Sequence, residues 1–234
     1  MATAVKWLQA PPGAFKGEGL GPYAGEMAHL VDWAEDVGGR SAHLFAYYGQ
    51  FVVDIVEIEP NAVHQPGKPG DEIVVVTNGR LSVTTDSTGV EQTFTAGEMV
   101  LFPEGWAGIY RVTSDEGLFR ELAITPRSYF DPSHVTPPSR EAPRRLDLPT
   151  AEGRHLLHRN TYLVEAENID RAHVWSIAAE SDQVIQVLAG ELTLSAAGDT
   201  AAFGPGSVVI LPKAFVGEAA TAPGYRALNA RWIG

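Results

Sequence analysis

Residues 97–108 read GEMVLFPEGWAG, and residues 206–217 read GSVVILPKAFVG. In both stretches five residues separate a glycine from a proline, and a further glycine stands five positions after that proline. The apolar run before each proline predicts a buried strand that ends there, because proline cannot donate to a strand ladder. The two stretches therefore resemble copies of one strand and one turn.

A second pair of blocks precedes the first pair in the same order. Six residues separate Glu72 from Gly79, and six separate Gln183 from Gly190. The glycines open the matching runs GRLSV and GELTL, in which apolar and polar residues alternate as in a half-buried strand. Two blocks that recur in order with the same internal spacing predict a duplicated β unit.

Short β-rich runs bounded by Gly, Pro, Asn and Asp recur along the whole chain, which predicts an all-β protein. The predicted strands are Phe51–Ile58, Glu72–Val76, Arg80–Thr85, Glu98–Phe102, Gly108–Val112, Phe119–Ile124, Val174–Ala178, Val184–Leu188, Leu192–Ser195, Val208–Leu211 and Tyr225–Trp232.

The strands group into two predicted domains, a first barrel at 40–125 and a second at 155–234. Residues 1–39 form an N-terminal extension, in which Glu26–Asp36 is a candidate short helix. Residues 126–154 form a connector, because prolines at this density do not fit central strands. The prolines of the connector are Pro126, Pro132, Pro137, Pro138, Pro143 and Pro149.

Composition excludes several kinds of function. The formal net charge is −12 and the chain has no run of Lys or Arg, so we expect binding neither to nucleic acid nor to an anionic membrane surface. There is no cysteine, which excludes disulfides and thiolate metal sites. No apolar run is long enough to span a bilayer and no signal peptide is visible, so we expect a cytoplasmic protein.

The blocks resemble the cupin superfamily. Its first motif is Gly, five residues, His-any-His, three or four residues, Glu, six residues, Gly. Its second is Gly, five residues, Pro-any-Gly, two residues, His, three residues, Asn. The resemblance implies two tandem double-stranded β-helix (jelly-roll) barrels, in which three His and one Glu hold a divalent metal. More narrowly, residues 98–112, which include the turn at 102–108, resemble the cupin group that contains ureidoglycine aminohydrolase and the ethanolamine-utilisation cupins.

The chain departs from these motifs at most of the implied metal ligands. In the first copy the second His of motif one is Pro66 and the His of motif two is Gly108, so only His64 and Glu72 remain. In the second copy the Glu is Gln183 and the His of motif two is Gly217. In the first copy, His43 or His29 could complete a metal site. In the second copy, Trp175 lies near the position of a metal ligand.

Each candidate site residue also has a structural interpretation. His64 and Glu72 are either remnant metal ligands or an acid–base pair inside the barrel. The acid–base alternative rests on the raised pKa of a desolvated carboxylate. In the structural interpretation, His64 is a solvated loop residue and Glu72 lies at the barrel rim. Trp106 and Tyr110 either line a ligand mouth or pack at a hinge. Gln183 faces inward and is either a ligand-binding group or a satisfied core amide.

These observations predict a metal-poor bicupin that binds a small polar molecule in its N-terminal barrel. We expect no cofactor beyond a weakly bound divalent metal at His64 and Glu72, because tight sites need three or more protein ligands. The alternative is a divergent metal-dependent enzyme, aminohydrolase- or isomerase-like, acting on a small polar amide or carboxylate. We also expect a homodimer, because open barrel edges need covering.

Overall fold

The computed structural model describes residues 8–10, 41–64, 68, 70–130 and 133–234, with the backbone alone for 8–10, 41–48, 64 and 130. The candidate helix at 26–36 lies outside the described residues. The chain divides into two compact units, residues 14–147 and residues 148–234 with 1–13. We call these units the first and the second barrel.

The first barrel consists of a six-stranded and a four-stranded antiparallel sheet, in the orders β11-β8-β5-β10-β3-β2 and β4-β9-β6-β7. A short 3₁₀ helix, Arg127–Phe130, follows its last long strand. The strands are β2 (Ser41–Tyr48), β3 (Phe51–Ile58), β4 (Val63–His64), β5 (Glu72–Asn78), β6 (Arg80–Thr85), β7 (Glu91–Thr95), β8 (Met99–Phe102), β9 (Gly108–Thr113), β10 (Phe119–Pro126) and β11 (Arg144–Arg145).

The second barrel has the same topology, in the orders β1-β18-β15-β20-β13-β12 and β14-β19-β16-β17. Its strands are β1 (Leu8–Ala10), β12 (Gly153–Arg159), β13 (Tyr162–Ile169), β14 (His173–Ala178), β15 (Gln183–Ala189), β16 (Leu192–Ala196), β17 (Asp199–Phe203), β18 (Val208–Leu211), β19 (Val216–Thr221) and β20 (Tyr225–Trp232). Strand β1 comes from the predicted N-terminal extension and β11 from the predicted connector, and each adds a strand to the edge of one barrel.

The duplicated turns lie at equivalent places. Strand β8 ends immediately before Pro103 and β18 immediately before Pro212, as predicted. After each proline the chain turns back with one backbone hydrogen bond, from Trp106 to Pro103 at 3.1 Å and from Phe215 to Pro212 at 2.9 Å. The strand register agrees as well, since β5 and β15 pair with the last residues before these prolines.

In each barrel a buried aspartate accepts a hydrogen bond from the backbone of the turn. The Oδ1 atom of Asp71 accepts the backbone N–H of Glu104 at 2.9 Å, and that of Asp182 accepts the N–H of Lys213 at 2.8 Å. Both carboxylates immediately precede the motif position held by Glu72 or Gln183. One backbone N–H of each turn thereby has a hydrogen-bond partner.

Alternation of side chains directs one face of each strand into a barrel core. In β6 the inward residues Leu81, Val83 and Thr85 are buried, while the residues between them are partly exposed. Each barrel has its own apolar cluster of Val, Leu, Ile, Phe and Tyr side chains. The predicted all-β class is thus confirmed, and the functional question concerns the polar groups inside these two cores.

Candidate functional site

Trp106 forms part of the inner wall of the first barrel. Its side chain is fully buried, its Nε1–H donates to Thr85 Oγ1 at 3.0 Å, and its ring meets Phe102 edge-on at 4.8 Å between centroids. The indole N–H therefore has a partner within the core. The turn after Pro103 directs this ring inward.

Gly108 stands where motif two would supply a histidine. A Cβ atom added at Gly108 would lie 2.6 Å from the Trp106 ring and closer still to the carbonyl oxygen of Thr84. A Cβ atom cannot lie this close to other heavy atoms, so the ring of Trp106 and the backbone at Thr84 occupy the space that a side chain at 108 would need. The second barrel repeats the arrangement with Gly217 and Phe215, where the added Cβ would lie 2.8 Å from the ring.

Glu72 is buried at the start of β5 and is bound by a lysine. The Nζ atom of Lys68 donates to Glu72 Oε1, and the hydroxyl of Thr125 donates to Oε2 at 3.1 Å. Lys68 and Glu72 are each less than a tenth exposed. Both carboxylate oxygens of Glu72 thus accept hydrogen bonds, one of them from a cation, as a buried charge requires.

The same ammonium group lies against two aromatic rings. Lys68 Nζ is 4.9 Å from the ring centroid of Phe102 and 5.5 Å from that of Tyr110. These distances are in the range of cation–π attraction, which strengthens when water is excluded. The ammonium group of Lys68 therefore places a positive charge inside the first barrel.

Tyr110 and Glu121 form a second buried pair across β9 and β10. The Tyr110 hydroxyl donates to Glu121 Oε2. Burial raises the pKa of Glu121 to about 7, with Lys68 and the Tyr110 hydrogen bond opposing the rise and Glu72 and Asp54 adding to it. Burial and the charge of Glu121 raise the pKa of Tyr110 well above its ordinary value. Glu121 can therefore gain or lose a proton near neutral pH.

The residues of the first barrel do not fit the metal that the resemblance implies. Of the four ligand positions, Gly108 has no side chain, and the carboxylate of Glu72 forms an ion pair with Lys68. His64 pairs with Tyr110 in the ladder between β4 and β9, and its side chain is outside the described part, as is all of Pro66. Among the described residues, no group of three His, Cys, Asp or Glu side chains could hold a metal ion.

In the second barrel the ligand positions of the motif are also replaced. Gln183 is half-buried, pairs with Leu211 as Glu72 pairs with Phe102, and shares its strand face with the core residues Ile185 and Val187. Trp175 pairs with Ala219 as His64 pairs with Tyr110, so it holds the position that corresponds to His64.

The candidates of the sequence analysis thus come together only in part. Glu72, Trp106 and Tyr110 all line one core, while His43 contributes only its backbone to the description and His29 lies outside it. Sequence reasoning missed Lys68 and Glu121, which complete the polar cluster. A weak signal for Lys68 was the length of the loop between His64 and Glu72, which exceeds the motif spacing.

No protein-family model matches the chain, and no curated protein matches it. Solved structures do resemble it. The protein YlbA from Escherichia coli matches with a TM-score of 0.64 at 11% identity, over 98% of this chain and 91% of that chain. A cupin 2 conserved barrel domain protein from Leptotrichia buccalis matches at 0.62 and 12%, over 83% and 88%.

An enzyme is also among the similar structures. A mutant of the salicylate 1,2-dioxygenase from Pseudoaminobacter salicylatoxidans matches with a TM-score of 0.62 at 13% identity, over 89% of this chain and 80% of that chain. At such identities the likeness shows the fold alone. The chain is an all-β protein of two tandem barrels with the cupin fold. No helix in the described part is long and apolar enough to cross a membrane.

Proposed function

We propose that this chain is a bicupin whose first barrel binds a small polar molecule without a transition metal. The observation that carries the proposal is the bond between Lys68 and Glu72, because it places a lysine ammonium on the carboxylate that motif one would offer to a metal. A cation inside an apolar barrel can bind an electron-rich group of a ligand, as a metal ion would, and needs no cofactor.

The chemistry of the cluster favours a ligand with a carbonyl or carboxylate group. Lys68 has three N–H donors, one of which goes to Glu72, so it can also donate to a ligand oxygen. Near neutral pH the Tyr110–Glu121 pair can donate or accept a hydrogen bond, depending on the protonation of Glu121. A small amide or carboxylate presents both kinds of partner.

One observation favours an enzymatic form of this proposal. A carboxyl group with a pKa of about 7 is suited to general acid–base catalysis, since both of its protonation states are populated near neutral pH. In an isomerase-like reaction Glu121 would move the proton, and Lys68 would stabilise the negative charge that develops on a ligand oxygen. Glu72 is less suited as the base because Lys68 and Thr125 hold its carboxylate.

Ligand-observed NMR with a panel of small amides and carboxylates tests the proposal. We expect at least one compound to bind, and Glu121→Gln, which preserves the shape of the side chain, to weaken that compound about tenfold or more. The matched control is Glu91→Gln at an exposed position of β7 in the same barrel, which should leave binding unchanged. A panel without binders, or binding insensitive to Glu121→Gln, would contradict the proposal. The homodimer and the cytoplasmic location stay predictions.

A further inference from the structure

We propose that the second barrel has its own site for a small neutral polyhydroxylated molecule, built around Tyr225, Glu167 and Asn229. The site shares no residue with the cluster in the first barrel. The two proposals can therefore fail separately.

The first observation is a buried hydroxyl without a partner. Tyr225 begins β20, is 1% exposed, and its hydroxyl oxygen has no hydrogen-bond partner among the described residues. Its counterpart in the first barrel is Phe119, because Phe119 pairs with Ile58 as Tyr225 pairs with Ile169. A barrel of this topology thus forms with a plain phenyl ring at this position, and the hydroxyl is not needed for packing.

The second observation is an amide beside a buried carboxylate. Asn229 donates from Nδ2 to Glu167 Oε1 at 3.4 Å, whereas its Oδ1 is buried and has no hydrogen-bond partner in the part of the chain that the structure describes. Glu167 is 2% exposed and also binds Arg154 Nε at 3.0 Å, which offsets its charge. Tyr225 lies on the same face of β20 as Asn229, and Glu167 lies on that face of the paired strand β13, opposite Ala227. Burial, and then the charge of Glu167, raise the pKa of Tyr225.

The first barrel has apolar residues at the corresponding positions. Glu167 pairs with Ala227 as Val56 pairs with Glu121, so Val56 is the counterpart of Glu167. By the same comparison of register, Ala123 is the counterpart of Asn229. Three polar groups therefore stand in this core where the fold accepts Val, Ala and Phe.

The third observation is a set of short side chains facing the same core. At four positions where the first barrel has a polar residue the second has alanine, and each of these alanines is buried. The corresponding pairs are Lys68 and Ala179, Thr85 and Ala196, Tyr110 and Ala219, and Glu121 and Ala227. At these four positions the second barrel presents methyl groups to its core and carries less side-chain volume than the first barrel.

These groups define the ligand by complementarity. The free Oδ1 of Asn229 needs a donor, and the hydroxyl of Tyr225 can both donate and accept. Because Arg154 already offsets Glu167, the site has no unpaired charge that would call for an ion. A hydroxyl group is both donor and acceptor, and the carbon skeleton of a polyol can pack on alanine methyl groups. A small polyhydroxylated molecule therefore satisfies every one of these requirements.

Titration of the full chain with glycerol, erythritol and myo-inositol, followed by amide NMR shifts, tests the proposal. We expect saturable shifts at amides of the second barrel and nuclear Overhauser contacts from the probe to the Tyr225 ring. Tyr225→Phe and Asn229→Ala install the residues of the first barrel, and each should weaken binding about tenfold or more. The matched control is Gln186→Leu, which removes another buried oxygen without a described partner on the opposite face of β15 and should leave binding unchanged.

The proposal is overturned if no probe gives saturable shifts, which would mean that ordered water alone satisfies these groups. It is also overturned if binding survives both substitutions at 225 and 229, or if Gln186→Leu abolishes it equally. Should both variants fail to fold, the contacts between the probe and the Tyr225 ring in the unaltered protein decide the question alone.

Discussion

Lys68 and Glu72 form a buried ion pair inside the first barrel, four residues apart along the chain. Thr125 donates to the second carboxylate oxygen, so the pair belongs to a network rather than standing alone. A lysine buried to this extent is rare unless its charge is paired. The position matters because Glu72 is one of only two implied metal ligands that the sequence retains in this barrel.

Lys68→Met should destabilise the first barrel by about 3–5 kcal/mol, because removal of one partner leaves a buried charge uncompensated. Urea unfolding followed by tryptophan fluorescence, to which the buried Trp106 is one of five contributors, measures the loss. The double variant Lys68→Met/Glu72→Leu should recover most of it, since replacing both members of a buried pair is often neutral. Equal stability of the unaltered protein and Lys68→Met would show that the pair is not buried.

Glu121 should make the stability of the first barrel depend on pH. Its folded pKa of about 7 lies above its unfolded value of about 4.5, so the native state binds more protons between these two values. Stability should therefore fall as pH rises from about 4.5 to about 7 and level off above, by about 3 kcal/mol from this group. Denaturant unfolding at a series of pH values measures the effect.

The Glu121→Gln variant isolates that contribution. Its stability should exceed that of the unaltered protein by a margin that grows across the same window, because the amide never ionises. Glu91→Gln, at an exposed position of the same barrel, is the control and should follow the unaltered profile. A margin that is constant with pH would mean that Glu121 keeps an ordinary pKa.

Alanine at Gly108 or Gly217 should destabilise its barrel by about 1–3 kcal/mol through overpacking. The added Cβ would meet Trp106 at 2.6 Å in the first case, and Ser195 oxygen at 2.6 Å in the second. Gly204→Ala is the control within the second barrel, because nothing lies within 4 Å of its added Cβ. Thermal unfolding of the three variants provides the comparison, and equal melting temperatures for Gly217→Ala and Gly204→Ala would contradict it.

Tyr225→Phe should raise the stability of the second barrel by about 1 kcal/mol when no ligand is bound. The hydroxyl is buried without a partner among the described residues, and removing such a group also removes its desolvation penalty. Phe119→Tyr, the reverse change at the corresponding place in the first barrel, should be destabilising. Denaturant unfolding of both variants gives the answer, and a loss of stability in Tyr225→Phe would indicate a partner for the hydroxyl.

The duplication could be predicted from sequence because it rests on turn residues. Pro103 and Pro212 each end a strand, and Phe51–Ile58, Arg80–Thr85, Val208–Leu211 and Tyr225–Trp232 have the predicted bounds. Strands β1 and β11 could not be predicted, because edge strands of two or three residues carry no periodicity.

The polar cluster was predictable only in part, for two physical reasons. Glu72 occupies the glutamate position of motif one, so the resemblance implied its inward direction, although β5 is buried on both faces. Glu121 lies in β10, where both faces are largely buried, so no alternation shows which way its side chain points. Lys68 lies in a loop that is longer than the motif spacing, but the length of a loop does not show where its side chains reach.

The central claim is that Lys68 takes the place of a metal in the first barrel. Elemental analysis of the protein, purified without chelator and without immobilised metal, tests it most directly, with Lys68→Ala measured beside it. We expect less than about one tenth of an equivalent of any transition metal in the unaltered protein, since two candidate ligands make a weak site. One equivalent of a transition metal per chain, lost on Glu72→Gln, would contradict the claim.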